Sequence, residues 1–384
     1  MRFEFSTAMR IVFGEGVVHD LGHLAAESGR KALVVGGKAR ERIEPHIDVL
    51  TRHGLKSIYY PIRTEPTVDA IQAGTEVARE ERCDLVIGIG GGSVLDASKA
   101  IAILAANSGD IYDYLEVIGR GKTFTKPSLP LMTVPTTAGT GAEVTRNAVI
   151  GVPEQRVKVS LRSNFILAQV ALIDPELTYG MPPEVTATTG MDALTQLIEP
   201  YVSNKANPMT DVLCQDGITR IARSLLRAYQ NGADQAARQD MVLASLFSGL
   251  ALANAKLGAV HGIASVLGGM YSGPHGAICA RLLPPVMSIN VHALRERGKD
   301  QQTLRKYEML AHILTGHEDA APEAGVMWLQ ELEEALHISP LSVYGVNSVD
   351  FPEIVAKSAV ASSTKGNPIE LTHAEMLEVL EKAL

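Results

Sequence analysis

Four polar residues in the second half of the chain have the types and spacing of a cation site. Asp192 and Gln196 stand four residues apart in the helical pattern Met191–Glu199, so they project from one helical face. His261 and His275 follow within Gly258-Ala259-Val260-His261-Gly262 and Gly273-Pro274-His275-Gly276. Both sit among Gly, Ala, Val, Ile and Leu, where an unpaired imidazole is costly to bury. One carboxylate, one amide oxygen and two imidazoles can hold a divalent metal with a position open to substrate. Such a metal would polarise an alcohol or carbonyl oxygen as a Lewis acid. The same residues also fit two core histidines satisfied within the fold, and spacing alone does not separate the two readings.

A second kind of chemistry is written in glycines. Leu85-Val86-Ile87-Gly88-Ile89-Gly90-Gly91-Gly92-Ser93-Val94-Leu95-Asp96-Ala97-Ser98-Lys99 reads strand, glycine turn, helix. Ser93 is expected as the N-cap, with Asp96 three residues on completing a capping box. Glycines let the backbone approach a ligand closely, and exposed N–H groups at a helix start attract a pyrophosphate. A tight turn with no ligand is the plainer alternative. A second loop, Pro135-Thr136-Thr137-Ala138-Gly139-Thr140-Gly141-Ala142-Glu143, follows another strand. Open α/β sheets bind ligands at the C-terminal ends of their strands, and two such loops on successive strands favour a dinucleotide.

The elements that must position these groups fall into two halves. Strands are expected at Lys31–Val35, Lys56–Tyr60, Leu85–Ile89 and Leu131–Val134, with helices at Thr67–Glu81 and Val94–Ala106. Continuous apolar strands separated by helices indicate a parallel sheet covered on both faces. Arg146–Val152 and Arg156–Leu161 read as a hairpin attached to that unit. After Asp174-Pro175-Glu176-Leu177 strand-like runs nearly vanish and long amphipathic patterns take over, such as Ser224–Asn231 and Arg238–Ala255. Pro182-Pro183 suits a helix start. The expected organisation is an α/β domain over residues 1–180 and an all-helical domain over 181–384, with no internal repeat.

Composition narrows the function. The chain has 384 residues and a net charge of −8, which argues against nucleic-acid binding. Hydrophobic residues make up 46%, enough for sizeable cores. Cys83, Cys214 and Cys279 are scattered and odd in number, so neither a disulfide framework nor a Cys-rich zinc site is expected, and they read as reduced, buried thiols. No secretory signal pattern and no run of 18 apolar residues stands out, so a cytoplasmic protein without a membrane span is expected.

At these residues the chain resembles the iron-containing (group III) alcohol dehydrogenase family, related more distantly to glycerol dehydrogenase and dehydroquinate synthase. The resemblance runs essentially end to end. It begins at Ile11-Val12-Phe13-Gly14-Glu15-Gly16 and passes through Gly90-Gly91-Gly92-Ser93-x-x-Asp96-x-x-Lys99 and Pro135–Thr145. It continues at Asp174-Pro175-Glu176-Leu177 and Gly190-Met191-Asp192-Ala193-Leu194-Thr195, and ends with His261 and Pro274-His275-Gly276. The resemblance implies the dehydroquinate synthase-like fold, with a Rossmann-like N-terminal domain and an all-α C-terminal domain. It implies NAD or NADP in the cleft between them, the pyrophosphate on Gly90, Gly91, Gly92 and Ser93, with Asp96, Thr136, Thr137, Thr140 and Leu177 nearby. It further implies a divalent metal, Fe²⁺ or Zn²⁺, hydride transfer to or from a small alcohol, aldehyde or keto acid, and a homo-oligomer, a dimer being common among relatives.

Three positions depart from the family pattern. Gln196 stands where a His ligand is usual, so the metal set becomes Asp192, Gln196, His261 and His275 with a weaker neutral donor. Ser265 replaces a His often assigned to proton relay. Gly37, at the end of the first strand, replaces an Asp that accepts from the ribose 2′-hydroxyl in NAD-selective relatives; with Lys38 and Arg40 close by, NADP(H) is expected to be accepted at least as well as NAD(H). Without a metal, as in maleylacetate reductase-like relatives, His261 and His275 would be the catalytic acid/base groups. A dehydroquinate synthase-like lyase and a non-catalytic nucleotide-binding protein are the remaining alternatives. Arg146 and Arg162 are either groups for a carboxylate substrate or ordinary surface residues.

Overall fold

The computed structural model describes residues 2–298 and 301–384, which form two compact units. The first comprises Phe5–Thr137 and Gly141–Tyr179. Its elements in chain order are β1 (Arg10–Phe13), α1 (Leu21–Ser28), β2 (Lys31–Gly36), α2 (Glu44–Arg52), β3 (Lys56–Pro61), α3 (Val68–Glu80), β4 (Leu85–Gly90), α4 (Gly92–Ala106), β5 (Leu131–Pro135), β6 (Asn147–Val152), β7 (Val157–Arg162) and β8 (Val170–Ile173).

Six strands form one sheet in the order β1-β8-β5-β4-β2-β3, and every pairing is parallel. The physical reason lies in the strand sequences: β4, β5 and β8 are buried along their whole length, which only a sheet covered on both faces allows. The four expected strands are β2 to β5. Two more, β1 and β8, add on beyond β5; each is only four residues long and carries no turn signal strong enough to mark it. The expected hairpin is a separate antiparallel pair, β6 with β7. Arg156 turns it in the left-handed region at φ 52°.

The start of α4 differs from expectation. Gly91, not Ser93, is the N-cap, and it makes no side-chain capping bond. Ser93 is already inside the helix, and Asp96 is turned elsewhere. Its carboxylate accepts from the Val149 N–H at 3.0 Å and pairs with the buried Lys99 Nζ at 2.8 Å, tying α4 to the hairpin. A glycine cap serves where the backbone needs freedom and the first amides are to be left to another partner.

The second unit holds Gly180–Leu384 and takes in Ala138–Thr140. Its helices are α5 (Pro183–Val202), α6 (Pro208–Gln230), α7 (Gln235–Asn254), α8 (Ala259–Met270), α9 (His275–Arg297), α10 (Gln301–Thr315), α11 (Pro322–Ala335), α12 (Phe351–Val360) and α13 (His373–Ala383). Ser224–Asn231 proves to be the last part of α6 and its cap, and Arg238–Ala255 lies within α7 and its cap. The central α5 packs on α6, α7 and α9. Gly190 makes the α5–α6 approach possible, since a Cβ there would lie 2.3 Å from Leu225. Among single helices of the described residues, α9 alone is long and apolar enough to cross a bilayer. As 83% of its apolar window is buried within the fold, it is a core helix.

Candidate active site

Three helices of the second unit bring Asp192, His261 and His275 together. Asp192 lies mid-way along α5, His261 in the first turn of α8, and His275 is the first residue of α9. Gly276 lets the start of α9 approach α5, since a Cβ there would meet the Thr188 carbonyl oxygen at 2.3 Å and the Asp192 Cβ at 3.3 Å. His261 Nε2 is 3.5 Å and His275 Nε2 3.9 Å from Asp192 Oδ1, and the two imidazole centroids are 5.5 Å apart. Asp192 and His261 are buried, at 3% and 5% exposure, whereas His275 is half-buried.

Two donor atoms in this cluster are buried without a hydrogen-bond partner: Asp192 Oδ1 and His261 Nε2. Such orphans are expensive unless something else engages them. The rest of each side chain is firmly held. Glu199, one turn and a further turn along α5 from Asp192, accepts from His261 Nδ1 at 2.6 Å and from the Val260 N–H at 2.7 Å. This carboxylate places the ring proton on Nδ1 and leaves Nε2 to face the cluster, the outer-shell arrangement typical of ligating histidines. Glu199 was missed in the sequence, although its spacing of seven from Asp192 puts both on one face of a helix.

Gln196 sits beside Asp192, but its oxygen is not presented to the cluster. Its Nε2 donates to Asp192 Oδ2 at 3.0 Å, and its Oε1 accepts from Ser248 Oγ on α7 at 3.0 Å. The orientation follows from charge, because only the amide N–H₂ can face a carboxylate. Beside the two histidines the structure also places a residue read from the sequence as a reduced, buried thiol. Cys279, one turn after His275 on α9, has its Sγ 3.5 Å from His275 Nε2, and donor atoms of Asp192, His261, His275 and Cys279 all lie within 4.8 Å of one another. The (i, i+4) spacing from His275 was the available signal.

The electrostatics follow from this packing. Burial opposes charge on Asp192, yet the adjacent His261 and His275 hold its carboxyl below the ordinary range. Burial likewise opposes a charged His261, but Cys279, Asp192 and Glu199 outweigh it and lift the ring well above the usual histidine value. The Cys279 sulfur lifts His275 against the effect of burial. Burial alone would raise the Cys279 thiol, and the two imidazoles pull it below its ordinary value. The groups of the cluster thus stabilise one another's charged forms, and ligands of this kind give up their protons to a divalent cation. Donor chemistry and orphaned atoms both fit a metal.

Ser265 Oγ donates to the Gly262 carbonyl at 2.9 Å, so its hydroxyl is used by its own helix.

The glycine turn lies in the first unit. A Cβ at Gly90 would come 2.7 Å from Val94, and one at Gly91 would press on Thr137 at 3.3 Å. Glycine is required there for the close strand-to-helix passage. The N–H groups of Gly92 and Ser93 have no acceptor among the described residues, leaving a helix start able to receive a phosphate. Thr136 is fixed by its N–H to the Gly90 carbonyl at 3.0 Å, and Leu177 packs against the sheet core. Asp96, expected beside the cofactor, is committed to Val149 and Lys99 as described, so its carboxylate is part of the scaffold. Thr140 belongs with the helical unit. Burial pushes the nearby Glu143 carboxyl up to about 7 against the pull of Lys99.

Gly37 follows β2 with open space around it, and its carbonyl accepts from the Tyr59 hydroxyl. Arg40 is engaged by Glu44 at 2.9 Å and lies over the Tyr59 ring, while Lys38 is exposed. Arg162 is exposed and pairs with Glu116 at 2.8 Å, while Arg146 is half-buried and donates to Asn164 at 3.1 Å.

Comparison with known proteins addresses the same two regions. Residues 8–175 match the family description "Iron-containing alcohol dehydrogenase", and residues 186–384 match "Fe-containing alcohol dehydrogenase family, C-terminal". The chain is 37% identical over 378 residues to alcohol dehydrogenase 4 of Saccharomyces cerevisiae (strain YJM789), covering 97% of this chain and 96% of that one. It is 36% identical over 364 residues to 1,3-propanediol dehydrogenase of Klebsiella pneumoniae, covering 92% of each. A crystal structure of a 1,3-propanediol oxidoreductase superposes with a TM-score of 0.93 at 32% identity over all of both chains. A glycine-turn parallel sheet, an Asp/His/His cluster on three helices and matches along nearly the whole length lead to one conclusion: the chain belongs to the iron-containing alcohol dehydrogenase family, oxidoreductases acting on CH–OH groups, for which a nicotinamide cofactor and a divalent metal are implied.

Proposed function

We propose that the chain interconverts a small alcohol and its aldehyde or ketone, with NAD(H) or NADP(H) as hydride carrier and a divalent metal held by Asp192, His261 and His275. The observation that carries this reading is the pair of buried, unpartnered atoms, Asp192 Oδ1 and His261 Nε2, 3.5 Å apart. When bound, the metal supplies a Lewis acid for the substrate oxygen. The protein's own groups prepare the site. Glu199 keeps the His261 proton on Nδ1, Gln196 and Ser248 orient Asp192, and Gly276 brings His275 within reach. In the other unit Gly90, Gly91, Gly92 and Ser93, with Thr136 and Thr137, receive the pyrophosphate.

Gly37 offers no carboxylate to repel a 2′-phosphate, so NADPH is used at least as well as NADH. Lys38 is the cation proposed to meet that phosphate, Arg40 being engaged by Glu44 and Tyr59. Short alcohols and diols are the first substrates to test, since the relatives above are named for them, and a dimer is the proposed working form.

The test is oxidation of NADPH and NADH by chelator-treated enzyme with a panel of small aldehydes and keto acids, with and without Fe²⁺ or Zn²⁺. Activity restored only by metal is expected, and His275→Ala should abolish it while leaving the fold intact. Activity indifferent to chelation would overturn the metal assignment and make His261 and His275 acid/base groups.

A further inference from the structure

The thiol of Cys279 has no part in the metal set just proposed, yet it lies inside the cluster. Burial among two imidazoles and a carboxylate is an unusual place for a merely space-filling cysteine. Donor separations offer a geometric check. A tetrahedral zinc ion with the usual Zn–S and Zn–N lengths has S···N edges of about 3.5 Å and O···N edges of about 3.4 Å. The Cys279 Sγ to His275 Nε2 distance is 3.5 Å, and Asp192 Oδ1 lies 3.5 Å from His261 Nε2 and 3.9 Å from His275 Nε2. These three separations match edges of one coordination polyhedron to within about half an ångström, and all four donor atoms lie within 4.8 Å of one another. An independent observation points the same way: Asp192 Oδ1 and His261 Nε2, on residues more than nine-tenths buried, are aimed into the cluster without a partner.

Gln196 cannot take that place cheaply. To offer its oxygen it would give up the bond from Ser248 and break the one to Asp192, leaving a buried carboxylate oxygen to find another partner, while the Ser248 hydroxyl keeps the Ser245 carbonyl at 2.8 Å.

We propose that Cys279 is the fourth protein donor to the metal, so that the site is Asp192, His261, His275 and Cys279, with Gln196 acting from outside as a positioning residue on Asp192 and the substrate oxygen entering as a fifth ligand. This rests on the metal-binding reading above and deepens it. A thiolate is a soft donor and turns the site toward Zn²⁺ or Co²⁺ and away from hard ions such as Mg²⁺ and Mn²⁺.

Co²⁺ loading of the full-length, chelator-treated protein distinguishes the outcomes, because a cobalt–thiolate bond gives a near-ultraviolet charge-transfer band that nitrogen and oxygen donors do not. The wild type is expected to show the band together with the visible cobalt bands. Cys279→Ser should lose the charge-transfer band, keep the visible bands and bind Co²⁺ about 100-fold more weakly, at or beyond the limit for an outer-shell partner. Gln196→Ala should keep the band, as should Cys83→Ser and Cys214→Ser. Should Cys279→Ser fold poorly by circular dichroism, Cys279→Ala provides the same comparison. Stoichiometric Co²⁺ binding by wild type without the band, or a band that survives in Cys279→Ser, overturns the role of Cys279 while leaving the metal reading intact. Failure of the wild type to bind Co²⁺ or Zn²⁺, with Asp192→Asn indistinguishable from it, overturns both.

Discussion

Replacing Glu199 by Gln changes a single atom type in a buried carboxylate and should disable His261 as a ligand. Glu199 accepts two bonds, from the Val260 N–H at 2.7 Å and from His261 Nδ1 at 2.6 Å. A glutamine has one accepting oxygen. The Val260 amide is fixed in the first turn of α8 and can only donate, so the new oxygen must serve it. The amide N–H₂ then faces His261 Nδ1, which must become the acceptor, and in the neutral ring the proton moves to Nε2, the atom aimed at Asp192. A protonated Nε2 cannot bind a metal. Loss of an ordinary outer-shell partner costs 10–100-fold in metal affinity, about 1.4–2.7 kcal/mol. The equivalent tautomer error in a serine-protease triad lowers kcat by about 10⁴, so Glu199→Gln should fall at or beyond the upper end of the outer-shell range. Exchange of one charge-assisted bond for a neutral one should also remove about 1–1.5 kcal/mol of stability from the metal-free protein. The assay is competition for Zn²⁺ against a chromophoric chelator, with thermal melts in parallel. Affinity within about threefold of wild type would refute the tautomer argument.

Gly276→Ala places a methyl group 2.3 Å from the Thr188 carbonyl oxygen, so α9 must move off α5; a loss of roughly 1–3 kcal/mol in melts and a weakened metal site are expected, and an unchanged melting point would show that the contact is slack. Gly37→Asp has room for its side chain and should lower the NADPH-to-NADH ratio of kcat/KM by about tenfold or more, the cost of setting a carboxylate beside a phosphate; an unchanged ratio would place the 2′-phosphate elsewhere. Burial pushes the Glu333 carboxyl up to about 8 despite Arg281, whose Nη1 is 3.6 Å away, and Glu333 lines a cavity of about 630 Å³ with Arg281, Glu334 and Lys382. The folded state therefore keeps a proton that the unfolded chain releases near pH 4.5, so this group's contribution is present below that pH and is lost as pH rises toward 8. Glu333→Gln should melt several degrees above wild type at pH 8, a gain of up to about 4 kcal/mol, and coincide with it near pH 4.5; parallel melting profiles would contradict this.

Much of the scaffold could be read from residues alone because its causes are local. Continuous apolar runs at Ala32–Val35, Leu85–Ile89 and Leu131–Val134 admit only strands buried on both faces, and a triple glycine after one of them must be a strand-to-helix turn. Asp192 and Gln196 stood out by their spacing on one helical face, and His261 and His275 because imidazoles amid apolar sequence need a reason to be buried. Boundaries and partners were less legible. Ser93 has the chemistry of a cap, but the glycine before it starts the helix, and Asp96 is drawn away by the amide of Val149, 53 residues distant.

The make-up of the site was decided by contacts that no local pattern carries. Gln196 faces Ser248 from 52 residues away, and Glu199 reaches His261 across 62. Whether an amide oxygen points at a metal or at a hydroxyl depends on which helix lies opposite, and that is a property of packing. Cys279 shows the same division: its spacing from His275 was always in the sequence, but only the packing brings an Asp and two His to its thiol. Sequence by itself determined the types of chemistry available, through periodicity, glycine placement and the cost of burying polar groups. Tertiary structure decided which of those groups meet, because the donor separations of a metal site are set to a few tenths of an ångström by how closely α5, α8 and α9 pack.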